Sequence, residues 1–121
     1  MTALMETLSA QTTTAGWVDV CSYDDLIPDR GVCALVHGIQ VALFRTFDGE
    51  LYALSNYDPF SGAFVLSRGI VGCRGGIPTV ASPMKKQVFD LGTGRCLDDA
   101  ERSVPVYAVR RSGDRVEVTL R

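Results

Sequence analysis

Closely spaced turn dipeptides constrain this chain more than any other feature. His37-Gly38 separates two apolar runs, Val32-Cys33-Ala34-Leu35-Val36 and Ile39-Gln40-Val41-Ala42-Leu43-Phe44, and Asp48-Gly49 lies between the strand Val41 to Thr46 and the strand Leu51 to Leu54. Tight hairpin turns that match strand twist need positive φ at their central residues, which glycine adopts freely and His and Asp tolerate better than most side chains. Each dipeptide therefore predicts a β-hairpin. Near the C-terminal end, Arg115-Val116-Glu117-Val118-Thr119-Leu120 alternates polar and apolar residues, the period of a strand with one buried face. Ser112-Gly113-Asp114 turns a preceding strand, near Val106 to Arg110, into it. Many short strands with turn signals between them predict an all-β, antiparallel sandwich or barrel. Ser22 to Ile27 is the one helical or turn-like insert, with Ser22 as N-cap, Asp25 three residues on and Pro28 closing it. No repeat or linker divides the chain, so one domain over 17–121 is expected. It is preceded by a polar leader, Met1 to Gly16, expected to be flexible because it has little to bury.

A chain of 121 residues is long enough to build a core without metal or disulfide staples. With 46% hydrophobic and 21% charged residues it has the balance of a soluble globular protein. Twelve Lys and Arg against 14 Asp and Glu give a formal net charge of -2, which supplies no electrostatic footprint for nucleic acid or an anionic membrane. The apolar run Val32 to Phe44 is interrupted by His37-Gly38 and Gln40 and is too short to span a bilayer. Met1 to Gly16 lacks a basic region followed by a sustained apolar one, so it does not read as a secretion signal. A cytoplasmic location with reduced cysteines is the expectation.

Chemistry-bearing residues are few. His37 is the sole histidine, and its place beside Gly38 reads as a turn residue, leaving Ser-His-Asp or Cys-His sets without a histidine. Gly72-Cys73-Arg74-Gly75-Gly76 has neither the following Lys-Ser/Thr nor the helix-opening context of a phosphate loop, and it reads as a connecting loop. Asp24-Asp25 and Asp98-Asp99 read as solvated turn residues, not as a general acid and base. The four cysteines, Cys21, Cys33, Cys73 and Cys96, contain no C-x-x-C pair and read as free, partly buried thiols; whether Cys73 and Cys96 meet is open. No catalytic, cofactor-binding or metal-ligating residue is expected in this chain.

A longer pattern runs through the middle of the sequence. Ala53-Leu54-Ser55-Asn56 leads into a loop with Pro59, Gly62 and Leu66; a second loop holds Pro83; Phe89-Asp90-Leu91 and Thr93-Gly94 follow. In this joint spacing the stretch from Trp17 to Leu120 resembles a Rieske-type domain, where C-P-H and C-P-x-H-G loops supply two cysteines and two histidines to a [2Fe-2S] centre. The resemblance implies an antiparallel β-sandwich or barrel with a smaller, loop-rich subdomain at the former cluster site. Asp58 and Phe60 fall where the first Cys and His would stand, and Ser82 and Lys85 where the second pair would stand. Phenylalanine has no lone pair, lysine is protonated near neutral pH, and His37 lies outside both loops, so a normal Rieske cluster is not expected.

Among Rieske-like domains, this one is most similar to the small subunits of cytoplasmic NAD(P)H-dependent assimilatory nitrite reductases. The similarity lies in the Trp17-Val18 start, the strand Ile39-Gln40-Val41-Ala42-Leu43-Phe44-Arg45, the loop Asn56-x-Asp58-Pro59-Phe60-Ser61, and the Ser-Pro and Lys positions of the second loop. It implies a large-subunit partner that carries FAD, an iron-sulfur cluster and siroheme and reduces nitrite to ammonium with electrons from NAD(P)H. This chain would be a non-catalytic subunit supporting its assembly or activity. The resemblance also makes the two-loop tip a docking surface, with Phe60, Met84, Lys85 and Lys86 as candidate interface residues of types that include those enriched at interface cores. An equally weighted reading has Phe60 and Met84 filling the volume the iron has left, with Lys85 and Lys86 solvated. The alternative function is a cluster-free Rieske-like interaction module of another oxidoreductase, such as a dioxygenase system.

Overall fold

Both turn dipeptides shape the backbone. His37 and Gly38 take φ of 48° and 81° and join strand β4 (Gly31–Val36) to strand β5 (Ile39–Arg45) in a two-residue hairpin that pairs Val36 with Ile39. The second turn is longer than the dipeptide alone implies. Arg45 pairs with Leu51, the first residue of β6 (Leu51–Ser55), and between them the Gly49 N–H donates to the Thr46 carbonyl at 2.9 Å with Gly49 at φ 88°. The coordinates are a computed structural model that describes residues 7–9, 11–12 and 16–120.

The main sheet has eight strands in the order β1-β4-β5-β6-β12-β13-β3-β2. Here β1 is Thr7–Ser9, β2 Gln11–Thr12, β3 Val18–Ser22, β12 Val106–Ser112 and β13 Arg115–Thr119. Every pairing is antiparallel except β1 with β4, and the sheet curls into a nearly closed barrel. Within the stretch 1–16, set apart in sequence as a leader, Thr7–Ser9 pairs with Cys33–Leu35 and Gln11–Thr12 pairs with Val18–Asp19, so the sheet begins before Trp17. Residues 1–6, 10 and 13–15 of that stretch lie outside the described residues. Strand β3 runs into a 3-10 turn, Tyr23–Asp25, where the Ser22 Oγ accepts from the Asp24 N–H and Asp25 accepts from the Ser22 N–H, the capping box expected there; a second 3-10 turn, Leu66–Arg68, adds to the one insert expected from sequence.

Strand β5 divides the interior. Val41 and Leu43 point into the barrel with Val18, Val36 and Val118, whereas Ala42 and Phe44 point outward into a second core with Leu54, Leu66, Val80, Phe89 and Leu91. Alternation with period two thus serves two cores from one strand, and this is why β5 is apolar on both faces. The second core is covered by a three-stranded sheet in the order β11-β10-β9, formed by β9 (Ile70–Arg74), β10 (Ile77–Ala81) and β11 (Val88–Asp90), and by the ribbon of β7 (Tyr57–Asp58) and β8 (Ala63–Phe64). The segment Gly72-Cys73-Arg74-Gly75-Gly76 is therefore not a connecting loop. Gly72 to Arg74 finish β9, and Gly75 and Gly76, at φ 59° and 86°, form a two-residue turn that pairs Arg74 with Ile77. Strand β13 also departs from its one-faced reading, because Glu117 and Thr119 are buried as well. Glu117 accepts a 2.7 Å hydrogen bond from the Arg110 Nε, and that guanidinium lies 4.1 Å from the Trp17 ring centroid.

Candidate functional site

The tip of the small subdomain is built from the β7–β8 ribbon and the loop that follows β10. Asn56, buried at the end of β6, fixes the base of the ribbon. Its Nδ2 donates to the Gln40 Oε1 at 3.0 Å and to the Phe64 carbonyl at 3.1 Å, and its Oδ1 accepts from the Ser67 N–H at 2.7 Å. A short amide side chain meeting donors and acceptors on three sides is what a buried loop base needs, since unpaired polar groups there cost about 1–3 kcal/mol each. In sequence Asn56 stands only at the entrance to this loop, and its role shows once Gln40, Phe64 and Ser67 surround it.

Asp58 and Ser82 meet. Asp58 is fully buried and Ser82 nearly so, and the Ser82 Oγ donates to the Asp58 Oδ2 at 2.5 Å. The Ser61 Oγ donates to the same oxygen at 2.9 Å, and the Phe60 N–H donates to the Oδ1 at 2.9 Å. Burial pushes the Asp58 carboxyl up, but the hydrogen bonds from Ser82, Phe60 and Ser61 outweigh it and hold the group below the ordinary aspartate range. Ser82 also accepts from the Met84 N–H at 3.2 Å, which makes one carboxylate and one hydroxyl the link between the two loops. Asp98, read as a solvated turn residue, similarly ties segments together. It accepts from the Val88 N–H at 2.9 Å and pairs with Arg74 at 3.1 Å, and these bonds hold its carboxyl below the ordinary range.

The other two ligand-equivalent positions separate. Phe60 is half-buried, packs on Phe89 with ring centroids 6.0 Å apart and joins the second core. The Arg102 guanidinium covers it at 5.1 Å and donates to the Pro59 carbonyl at 3.2 Å, a contact between positions 43 residues apart that carries no local sequence signal. Met84, Lys85 and Lys86 are exposed, Met84 at 57%, and Lys86 takes φ 65°. Of the Phe60 and Met84 side chains, Phe60 packs against the second core and Met84 faces outward. Cys73 and Cys96 are both free thiols. Cys73 is exposed on β9, against the partly buried reading, whereas Cys96 is in the second core and Cys21 and Cys33 are buried. Burial, with Asp25 nearby, pushes the Cys21 thiol up to about 12.

The residues at the four positions do not fit a [2Fe-2S] cluster. Asp58 and Ser82 are spent on each other, Phe60 has no donor atom, and Lys85 points to solvent. Among the described residues no three His, Cys, Asp or Glu side chains converge as a metal site, and the exposed His37 stays in the β4–β5 turn.

The profile of the family described as Rieske-like [2Fe-2S] domain matches residues 16–119. The solved structure of a Mycobacterium tuberculosis chain ascribed to the small subunit of an NADH-dependent nitrite reductase superposes with a TM-score of 0.82 at 56% identity, covering 84% of this chain and 92% of that one. The nitrite reductase (NADH) small subunit of Escherichia coli K12 is 46% identical over 95 residues, which are 78% of this chain and 88% of the relative. A nitrite reductase [NAD(P)H] large subunit of Klebsiella oxytoca is 40% identical over 102 residues, 84% of this chain but 11% of that polypeptide. More distant is the ferredoxin of carbazole 1,9a-dioxygenase from Nocardioides aromaticivorans, at 25% identity and a TM-score of 0.77 over 88% of this chain and all of that one. The chain belongs to the nitrite reductase small-subunit family, built on the Rieske-like domain.

Proposed function

We propose that this chain is the small subunit of an NAD(P)H-dependent nitrite reductase. It assembles with a large subunit that reduces nitrite to ammonium, supports its assembly or activity, and contributes no catalytic residue. The observation that carries the reading is a complete Rieske-like frame whose cysteine-equivalent positions are closed by the Asp58–Ser82 hydrogen bond, in a chain related along most of its length to such subunits. A Klebsiella large subunit that itself contains a segment like this chain supports a partner held permanently alongside. On this reading the large subunit carries FAD, siroheme and an iron-sulfur cluster, and the complex works in the cytoplasm. The second reading, a cluster-free module of a dioxygenase-type system, is favoured only by the likeness to the carbazole dioxygenase ferredoxin.

Affinity purification of the tagged chain from cells grown on nitrate tests the proposal. A large copurifying protein with flavin and siroheme absorption bands is the expected result; copurification of an oxygenase, or of no partner, sinks it.

Within the proposed complex the tip docks through Met84, Lys85 and Lys86 and the accessible part of Phe60, an aromatic and Met patch rimmed by cations. Phe60→Asp would bury a charge beside Phe89 and confound stability with binding. Met84→Asp combined with Lys85→Glu avoids this. The pair is expected to weaken large-subunit affinity about ten-fold while leaving Tm unchanged, because both side chains are exposed. Unchanged affinity in a titration with the large subunit moves the interface off the tip.

A further inference from the structure

The most exposed large apolar side chains are not at the tip. Phe47 is 82% and Ile70 75% exposed, and both border a groove running beside strand β9. One part, of about 470 Å³, lies between the Thr46–Asp48 turn and the β9–β10 hairpin, with Tyr52, Cys73 and Pro78 among its walls. A second part, of about 380 Å³, shares Asp29 and Val71 with the first and continues past Ile70 to Arg68. Ile70 pairs with Ala81, the residue before Ser82, so the groove starts next to the tip and ends at the Asp48-Gly49 turn. Among the described residues β9 is bonded to β10 alone, which leaves its outer row of backbone N–H and C=O groups along the groove unpaired. An exposed, unpaired edge strand is a template for an added strand, and natural proteins keep one only where something covers it or blunts it.

We infer that this groove receives an extended segment of the large subunit, which adds as a strand to β9 and places apolar side chains against Phe47, Ile70 and Tyr52. The inference rests on the nitrite reductase reading. Three observations select this occupant. The edge strand Ile70-Val71-Gly72-Cys73-Arg74 bears one charge, at its end, and has no proline to block an added strand. A second copy is a poor match, because a symmetric antiparallel pairing about Gly72 would set each Arg74 opposite an Ile70. The groove is continuous with the tip proposed to face the large subunit, and exposed Phe and Ile side chains suit a permanent interface more than a transient one. Asp29, where the two parts of the groove meet, and Asp48 at the distal end call for a basic residue in the incoming segment.

Cys73 supplies an internal probe, since it lies in the groove and is exposed while Cys21, Cys33 and Cys96 are buried. The experiment compares N-ethylmaleimide labelling of Cys73, read by peptide mass spectrometry, in the free chain and in the purified complex with the large subunit. The expected result is labelling slowed about ten-fold or more on assembly. Phe47→Asp and Ile70→Asp should each lower large-subunit affinity about ten-fold with the Tm of the free chain unchanged, both side chains being exposed. A stable complex in which Cys73 labels at the free rate, and in which both variants bind as the parent does, overturns the groove assignment alone. Failure of any large subunit to assemble overturns the functional reading and this inference with it. Protection of Cys73 in the isolated chain on concentration, with dimers by sedimentation, assigns the groove to a second copy and overturns the inference.

Discussion

Asp58→Ala is expected to lower stability by about 3 kcal/mol and Tm by about 10 °C, with the loss centred on the tip. The substitution leaves the Ser82 hydroxyl, the Ser61 hydroxyl and the Phe60 N–H without their shared acceptor, in a place where the carboxylate is fully buried. Hydrogen bonds to a charged group are worth about 1.5–3 kcal/mol each, and their partial relaxation into the opened loop sets the net figure. Ser82→Ala removes one of the three donors and is expected to cost about 1–2 kcal/mol. The double variant should fall short of the sum by about 1 kcal/mol, since one bond is counted in both single changes. Full additivity in urea titrations would mean that the two side chains act separately and that the loops are held by something else.

The same group gives a pH signature with a definite sign. The folded pKa of Asp58 lies below its ordinary value of 3.8, so its stabilisation is fully present above the unfolded pKa and is lost as pH falls through the folded one. Asp58→Asn does not titrate. The stability gap between parent and Asp58→Asn should therefore be flat from about pH 5 to 8 and close below about pH 4. A gap that widens on acidification would show that folding raises the Asp58 pKa instead of lowering it.

Local backbone demands were legible in the sequence, whereas long-range pairing was not. His37-Gly38 and the Ser22 cap announce themselves because positive φ and an orphan N–H each admit few residue types. The two-core role of β5 is implicit in its apolar run Val41-Ala42-Leu43-Phe44, but a single strand cannot reveal what covers its second face. Burial of Asp58, Glu117 and Ser82 runs against the usual exposure of such residues and depends on partners elsewhere in the chain: Ser82 lies 24 positions from Asp58. The strands Thr7–Ser9 and Gln11–Thr12 pair through main-chain groups common to every residue, so their polar composition gave no sign of them. The Rieske-like frame was readable because Pro59, Gly62, Pro83 and Thr93-Gly94 hold fixed spacings. The bond between the two loops was not, because Asp58 and Ser82 become a link only once the loops face each other.

Gly94 shows how much one position in that frame can carry, and Gly94→Ala is expected to destabilise by about 3 kcal/mol or more. Gly94 sits at φ 78°, and a Cβ there would lie 2.1 Å from the Val104 carbonyl oxygen and 3.0 Å from the Val106 Cγ1. Neither the backbone carbonyl nor the buried Val104 can move freely, because the Val104 N–H donates to the Gly94 carbonyl at 2.8 Å and the Gly94 N–H donates to the Asp90 carbonyl at 2.8 Å. Gly38→Ala isolates the backbone contribution. It has φ 81° in the β4–β5 turn but nothing within 4 Å of the added carbon, so it should cost about 1–2 kcal/mol from the left-handed conformation alone. The difference between the two variants measures the clash. Its structural consequence falls on the 95–104 segment, which carries the Arg102 that covers Phe60, so limited trypsin digestion should cut Gly94→Ala after Arg102 faster than the parent or Gly38→Ala. Equal Tm losses and equal cleavage in the two variants would show that Val104 yields to the extra carbon and that Gly94 is kept for its φ alone.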